Sequence, residues 1–162
     1  MSILFVLAYL LSQQITSADV LEMMSRLPST EMGHAPYAWD RVGHAKEISE
    51  AIATVAPDRE TAATMVVYSV YEGGNRRCAV GDGGKALGPF QLQGAPRAVA
   101  CDPVQAARVW LAKANASLAD CSNLAPDDRL AELVSGSCKH GRVLARRRAA
   151  LARMAVAELG EE

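Results

Sequence analysis

The chain has 162 residues, a length typical of one domain with a substantial core. Half of its residues are hydrophobic, only 5% are aromatic, and the formal net charge of −1 gives no overall attraction to nucleic acid. Alanine-rich segments with spaced leucine and valine favour helix over sheet, so we expect a mainly helical domain.

The N-terminal segment has two interpretations. Residues Ser2–Leu11 form an apolar run, and a short polar segment follows it up to Ala18. The segment is either a signal peptide cleaved after Ala18, with a small residue also at Thr16, or an N-terminal apolar helix that packs in the mature protein. The run is too short for a stable membrane span. We therefore divide the chain into residues 1–18 and a single domain over residues 19–162.

Helical periodicity predicts the elements that follow. The predicted helices are Asp19–Arg26, Trp39–Val55 and a third helix that begins after Asp58 and ends at Glu72. The third helix is apolar on almost every face, so we expect it to lie in the core. Asp58 is its predicted N-cap.

Glu72 is the candidate catalytic residue. It stands at the end of the apolar helix and is followed by Gly73 and Gly74, which let the backbone turn away sharply. Burial and the partial negative charge of a helix C-terminus both disfavour a charged carboxyl group. A proton-bearing carboxyl group is what a general acid needs. The alternative is a solvated glutamate without a catalytic role.

A small β-hairpin is predicted after Glu72. The segment Val80–Gly88 places Asp82 and Gly83 between short apolar pieces, which is typical of a tight hairpin turn. Asp82 is either the acidic residue of this turn or a second carboxylate that activates water. Gln91 follows the hairpin, and its amide can both donate and accept hydrogen bonds.

Three motifs, taken together, resemble the soluble lytic transglycosylase branch of the lysozyme-like superfamily. The first is Tyr71–Gly74 (YEGG), the second is Ala86–Gln91 (ALGPFQ), and the third falls at Ala131–Gly136 (AELVSG). The resemblance covers roughly residues 47–143. The chain departs from the family pattern at Leu133 and Val134, where the family has tyrosine and asparagine.

The resemblance implies an all-α, lysozyme-like fold with a small β-hairpin, acting on the glycan strand of peptidoglycan. Glu72 is implied as the general acid and base, and Gln91, Phe90 and Ser135 as substrate-binding residues, although Phe90 also suits a core position. No metal or organic cofactor is implied. Two alternatives stay open: a lysozyme-type hydrolase that uses Asp82, and an inactive binding or structural module of an envelope or phage particle. A secreted, disulfide-rich helical protein that does not act on sugars is a third.

The second half of the chain is predicted to be helical as well. One helix opens at Asp102-Pro103, with the aspartate as cap and the proline in the first turn. Another begins at the acidic segment Pro126–Asp128, and the last covers Val143–Leu159.

The four cysteines predict two disulfides and a location outside the cytoplasm, in the periplasm, secreted, or on a virion. Cys101 and Cys121 flank a predicted helix about 24 Å long, so they are too far apart to pair. If the next helix folds back antiparallel, Cys138 returns toward Cys101. The preferred pairing is therefore Cys101–Cys138 with Cys78–Cys121.

A basic segment precedes the C-terminus. Six Lys and Arg residues and no acidic residue lie between Lys139 and Arg153. They form either a solvated helix face or a basic ridge of Arg142, Arg146 and Arg153, which fall near one side of a helix, that meets an anionic polymer. We do not expect nucleic acid as a partner, because no aromatic residues for base stacking interleave with the arginines.

Overall fold

The computed structural model of the chain describes residues 15–28 and 44–157, and these residues are mainly helical. The predicted segment 1–18 and the start of the predicted helix Trp39–Val55 fall largely outside the described residues. The α-helices are α1 (Ser17–Arg26), α2 (His44–Val55), α3 (Arg59–Tyr71), α4 (Arg97–Ala100), α5 (Pro103–Asp120), α6 (Ala131–Ser135) and α7 (Arg142–Ala157).

Helix α3 forms the centre of the core, as its sequence predicts. Every residue from Met65 to Val70 is buried. Helices α1, α2 and α7 pack around it, so it has no face left for solvent along that stretch. Fully burying an aliphatic side chain contributes about 1.5–3 kcal/mol, and this helix buries several. The end of α3, and with it Glu72, is therefore held on a rigid support.

The helix starts follow the predicted capping residues. The Asp58 side chain accepts a hydrogen bond from the Thr61 backbone N–H at 2.7 Å. Asp102 caps α5 in the same way, accepting from the Gln105 N–H at 2.9 Å, and Pro103 is the first residue of that helix. The predicted helix at Pro126 is shorter than expected, because a 3₁₀ turn, Pro126–Asp128, comes before α6.

A small antiparallel sheet follows α3. Its strands are β1 (Val80–Gly81), β2 (Ala86–Leu87) and β3 (Leu92–Gln93), in that order across the sheet. The predicted hairpin is β1–β2, and a 3₁₀ turn, Asp82–Gly84, joins the two strands. The third strand was not predicted, because two residues are too few to give a periodic pattern.

The predicted disulfide pairing is wrong. The bonds are Cys78–Cys101, with Cα atoms 4.7 Å apart, and Cys121–Cys138, with Cα atoms 5.5 Å apart. The prediction assumed that a long helix after Cys121 returns along α5. Helix α6 has only five residues, so Cys138 stays beside Cys121 at the far end of α5. The expectation of two disulfides is confirmed, and Cys101 and Cys121 are not paired with each other.

Within residues 15–28 and 44–157, we find no helix that combines the length and the apolar character needed to cross a membrane.

Candidate active site

A cleft of about 650 Å³ lies between the small sheet, the end of α3, and helices α5 and α6. It brings together residues from all three sequence motifs, which are distant along the chain. The candidate residues that line it are Glu72, Asp82, Phe90, Gln91 and Ser135. The cleft is therefore the candidate functional site.

Glu72 directly follows the last residue of α3. Its backbone N–H still donates to the Tyr68 carbonyl oxygen at 2.9 Å, so the residue continues the helical path. The chain then turns at Gly73, where a side chain has no room: a β-carbon on Gly73 would lie 2.1 Å from the Pro89 carbonyl oxygen. This close approach packs the first motif against the second.

Arg148 is an ion-pair partner of Glu72 that sequence reasoning missed. Its Nη2 donates to Glu72 Oε1 at 2.8 Å. Arg148 is buried, with 8% of its surface exposed, and its guanidinium lies over the Tyr71 ring at 4.6 Å from the centroid. The Glu72 side chain is half-buried, with 30% exposed. The cation also offsets the partial negative charge that the end of α3 presents to the carboxylate.

Gln91 is held rigidly in the cleft wall. Its side-chain Nε2 donates to the Gly88 carbonyl oxygen at 3.0 Å. Its Oε1 lies against Gly81, where a β-carbon would be only 2.0 Å away. The backbone of Gln91 has a φ of 48°, which is uncommon for a residue with a side chain and is found at functional sites. Gln91 is thus a fixed polar group in the same cleft as the candidate acid.

Phe90 belongs mainly to the core. It is 4% exposed, and its ring packs against that of Trp110 with centroids 5.8 Å apart. It contributes to the cleft wall without presenting an open face for a sugar ring. Of the two interpretations given above, the core position accounts for most of its surface.

Asp82 lies in the same cleft but is exposed. It stands in the β1–β2 turn with a φ of 47°, and its Oδ2 accepts a hydrogen bond from Gln93 Nε2 at 3.1 Å. These contacts are those of a turn residue, which Asp commonly occupies in a left-handed conformation. Its position in the cleft leaves the second interpretation, activation of water, open to experiment.

Ser135 lies exposed at the rim, at the end of α6. Its Oγ is within hydrogen-bond distance of the Ala131 and Ser137 carbonyl oxygens, at 2.9 and 3.0 Å. The hydroxyl donates to either of these carbonyl groups, so its remaining capacity toward a ligand is as an acceptor. Leu133 and Val134 line the cleft beside it and make this end of the cleft less polar.

Three further cleft residues were missed by the sequence analysis. The Tyr68 hydroxyl, the Trp110 indole N–H and one Glu132 oxygen are buried and have no hydrogen-bond partner among the described residues. Their side chains line the cleft. Leaving a buried polar group unpaired costs about 1–3 kcal/mol, so each of these three groups calls for a specific explanation, such as a functional role or a bound water or ion. For Tyr68 a signal existed: it precedes Glu72 by four residues on a helix and so shares its face.

The Tyr68 hydroxyl remains a neutral donor. Burial raises the pKa of Tyr68 well above its usual value, and the negative charge of Glu72 raises it further, while Arg148 lowers it. The Tyr68 ring contacts that of Trp110 edge to face, with centroids 5.1 Å apart. The two rings form a continuous aromatic wall next to Glu72.

One group of side chains has the spacing of metal ligands but not the chemistry. Cys121, Glu132 and Cys138 place their ligand atoms within 4.8 Å of one another. Both sulfur atoms are bonded to each other in a disulfide, so neither is a thiolate that binds a metal ion. The group is a disulfide with a neighbouring carboxyl group.

Most arginines of the basic segment have partners within the protein. Arg146 forms a two-point ion pair with the buried Asp128, and Arg153 forms one with Asp127. The Arg142 Nε donates to the Cys138 carbonyl oxygen at 3.1 Å. The predicted ridge of Arg142, Arg146 and Arg153 thus uses much of its hydrogen-bonding capacity to hold α7 against the preceding turns.

Comparison with known proteins adds no further assignment: no family model, no curated protein and no solved structure gives a significant match to the chain.

Proposed function

We propose that the chain is a peptidoglycan-cleaving enzyme of the lytic transglycosylase type, with Glu72 as its general acid and base. The observation that carries the proposal is the cleft itself. It gathers Glu72, Gln91 and Ser135, one from each of the three motifs, around a single concave surface. A large cleft with convergent polar groups is the usual setting of a binding or catalytic site.

The proposed reaction needs only one carboxyl group. Glu72 protonates the oxygen that joins N-acetylmuramic acid to N-acetylglucosamine, and the bond from that oxygen to the muramic acid carbon breaks. The 6-hydroxyl oxygen of the same muramic acid then attacks the carbon from which the glycosidic oxygen has departed. The Glu72 carboxylate accepts the proton of this 6-hydroxyl group as it attacks. The products are a free N-acetylglucosamine hydroxyl and a 1,6-anhydro sugar, and Glu72 ends with its proton restored. Water is not consumed.

Gln91 is proposed to hydrogen-bond the sugar next to the scissile bond. Its fixed side chain can meet a hydroxyl or acetamido group without reorganisation. The cleft surface at Leu133 and Val134 supports an apolar contact with a sugar face instead of the hydrogen bonds that tyrosine and asparagine supply in the family pattern.

Hydrolysis is the second candidate reaction. The observation that favours it is the presence of the exposed Asp82 in the same cleft as Glu72. In that case Asp82 would activate a water molecule, and the products would carry a free reducing end.

A non-catalytic module is the third candidate, favoured by the apolar Leu133 and Val134 in the cleft. It would bind peptidoglycan in an envelope or phage assembly without cleaving it. For all three candidates we propose a location outside the cytoplasm or on a virion, because disulfides persist in oxidising compartments.

The deciding experiment is digestion of purified peptidoglycan, followed by mass spectrometry of the soluble fragments. We expect fragments with the anhydro end, one water lighter than the hydrolysed form. Glu72→Gln should lose about 10²–10⁴-fold in rate, because an amide keeps the shape but delivers no proton.

Asp120→Asn is the matched control, since Asp120 is an exposed carboxylate that lines the same cleft. It should digest like the parent. Residual activity of Glu72→Gln within about tenfold of the parent would remove the catalytic assignment. Binding to insoluble peptidoglycan without any cleavage by the parent would favour the non-catalytic module.

A further inference from the structure

We propose that Arg148 is the positioning residue of the candidate acid: it holds Glu72 by one carboxylate oxygen and leaves the other available for the sugar. This inference rests on the proposed function, and it adds a residue that none of the three motifs contains. Arg148 lies on α7, 76 residues after Glu72, and is absent from the described lining of the cleft. Its hydrogen bond to a residue of the cleft is the one to Glu72.

The ion pair of Arg148 and Glu72 is formed through one hydrogen bond. Arg148 meets Glu72 through Nη2 alone, and its Nε is buried without a hydrogen-bond partner among the described residues. A carboxylate frequently meets a guanidinium side-on or end-on through two parallel hydrogen bonds. A side-on contact would satisfy both Nε and Nη2, but it would occupy both oxygens of Glu72.

The single hydrogen bond from Arg148 occupies one of the two carboxylate oxygens of Glu72. Glu72 Oε1 is held by Arg148, while Oε2 accepts no hydrogen bond from the described residues. This single contact leaves Nε without a hydrogen-bond partner among the described residues, although a side-on contact would satisfy it. An arrangement that tolerates this in order to leave one carboxylate oxygen unoccupied suits a proton donor and acceptor.

Arg148 is itself rigidly placed. Its guanidinium packs over the Tyr71 ring, the residue next to Glu72, and the Tyr71 hydroxyl donates to the Pro28 carbonyl oxygen at 2.9 Å. A buried guanidinium between a fixed ring and a carboxylate has little freedom to move. Glu72 is thus aligned from α7 rather than by its own helix alone, and misalignment of a reacting group by about 1 Å can lower a rate about 10²-fold.

The test replaces Arg148 and separates kcat from KM on soluble, uncross-linked glycan strands. In Arg148→Met the long apolar side chain keeps contact with the Tyr71 ring but cannot hold the carboxylate. We expect kcat to fall about 10²-fold and KM to stay within about threefold, because Arg148 does not touch the substrate. Arg148→Lys keeps the charge and one donor, so it should recover most of the lost kcat.

Arg147→Met is the matched control, since it removes an exposed arginine from the same helix. It should leave kcat and KM unchanged. Thermal unfolding of every variant gives the folded fraction at the assay temperature.

Three outcomes would overturn the inference. The first is a folded Arg148→Met whose kcat is within about threefold of the parent's, and the second is a change in KM without a change in kcat. The third is a fall in kcat no larger than the fall in the fraction of folded protein. If Arg148→Met does not fold, Arg148→Gln, which also lacks the guanidinium, is measured in its place, and a folded Gln variant with a kcat within about threefold of the parent's would count against Arg148. A parent that cleaves no glycan defeats the proposed function itself, and the inference with it. If the parent cleaves glycan and its kcat does not depend on Arg148, the inference about Arg148 is wrong while the proposed function stands.

Discussion

Gly73 and Pro89 are in direct contact through their backbones. No β-carbon fits on Gly73, because it would lie 2.1 Å from the Pro89 carbonyl oxygen. Since Gly73 follows Glu72 and Pro89 lies two residues before Gln91, this contact sets the relation between the candidate acid and the fixed amide of the cleft. The close contact with Pro89 therefore explains why position 73 of the first motif is a glycine, which the motif alone did not reveal.

We predict that Gly73→Ala separates these two segments. Forcing one extra carbon into a close backbone contact should lower the free energy of unfolding by about 1–3 kcal/mol. Displacement of Glu72 should lower glycan cleavage by up to about 10²-fold. Urea unfolding and the digestion assay measure the two effects. Gly83→Asn is the control, since Gly83 has a φ of 64° that asparagine tolerates and open space around its α-carbon. An alanine variant as stable and active as the parent would contradict the steric argument.

Asp82→Asn separates the two cleavage reactions. Asparagine tolerates the φ of 47° and can accept the hydrogen bond from Gln93, so the turn should survive. In the transglycosylase reaction water is not a reactant, and we expect the variant to keep activity within about tenfold of the parent, with anhydro products. If Asp82 activates water, the rate should fall by about 10²-fold or more. Free reducing ends among the parent's products would refute the transglycosylase assignment, whatever the variant does.

The disulfide pairs can be checked by peptide mapping. Without reduction, we expect no free thiol in the denatured protein, and linked peptides that contain Cys78 with Cys101 and Cys121 with Cys138. Replacing both Cys121 and Cys138 by alanine removes a cross-link that spans 17 residues, and should destabilise the fold by about 3 kcal/mol. A linked peptide of Cys101 with Cys138, or four free thiols, would contradict the structure.

The ion pair of Asp128 and Arg146 gives a prediction about acid. The hydrogen bond from Arg146 holds the pKa of Asp128 below its usual value, so the folded state favours the carboxylate more than the unfolded state does. The pair therefore stabilises the fold above the unfolded-state pKa of about 3.9, and that stability is lost as the pH falls through the lower folded-state pKa.

Asp128→Asn should accordingly melt at a lower temperature than the parent at pH 7, and the difference should shrink as the pH falls below about 4. Circular dichroism melts between pH 2 and 7 measure it. Asp127→Asn is the control, because its pair with Arg153 is exposed and should contribute less. A difference that is constant with pH would mean that Asp128 acts through packing rather than charge.

Local patterns in the sequence were sufficient for α3, its Asp58 cap and the β1–β2 turn. Each depends on residues a few positions apart, and the structure confirms each. The motif residues also meet in one cleft. The disulfide pairing was not accessible in this way, because it depended on the length of α6, whose sequence favours a longer helix than forms.

Arg148 was equally inaccessible. It stands next to Arg147 in a basic segment, and nothing local distinguishes the two residues. Only the packing of α7 against α3 buries Arg148 beside Glu72 and leaves Arg147 exposed. A contact between two residues that are 76 positions apart depends on tertiary packing, and it leaves no local pattern in the sequence.

The two disulfides enclose α5. Cys101 lies just before this helix and is bonded to the segment that leads into β1, while Cys121 lies just after it and is bonded to the loop beyond α6. Trp110, which forms one side of the aromatic wall, lies on α5, so this side is covalently linked at one end to the sheet side and at the other end to the α6 side of the cleft. Such a cleft is preorganised, and a glycan that enters it should lose little affinity to ordering of the protein. Mild reduction should accordingly weaken glycan binding before it unfolds the core around α3, which contains no cysteine.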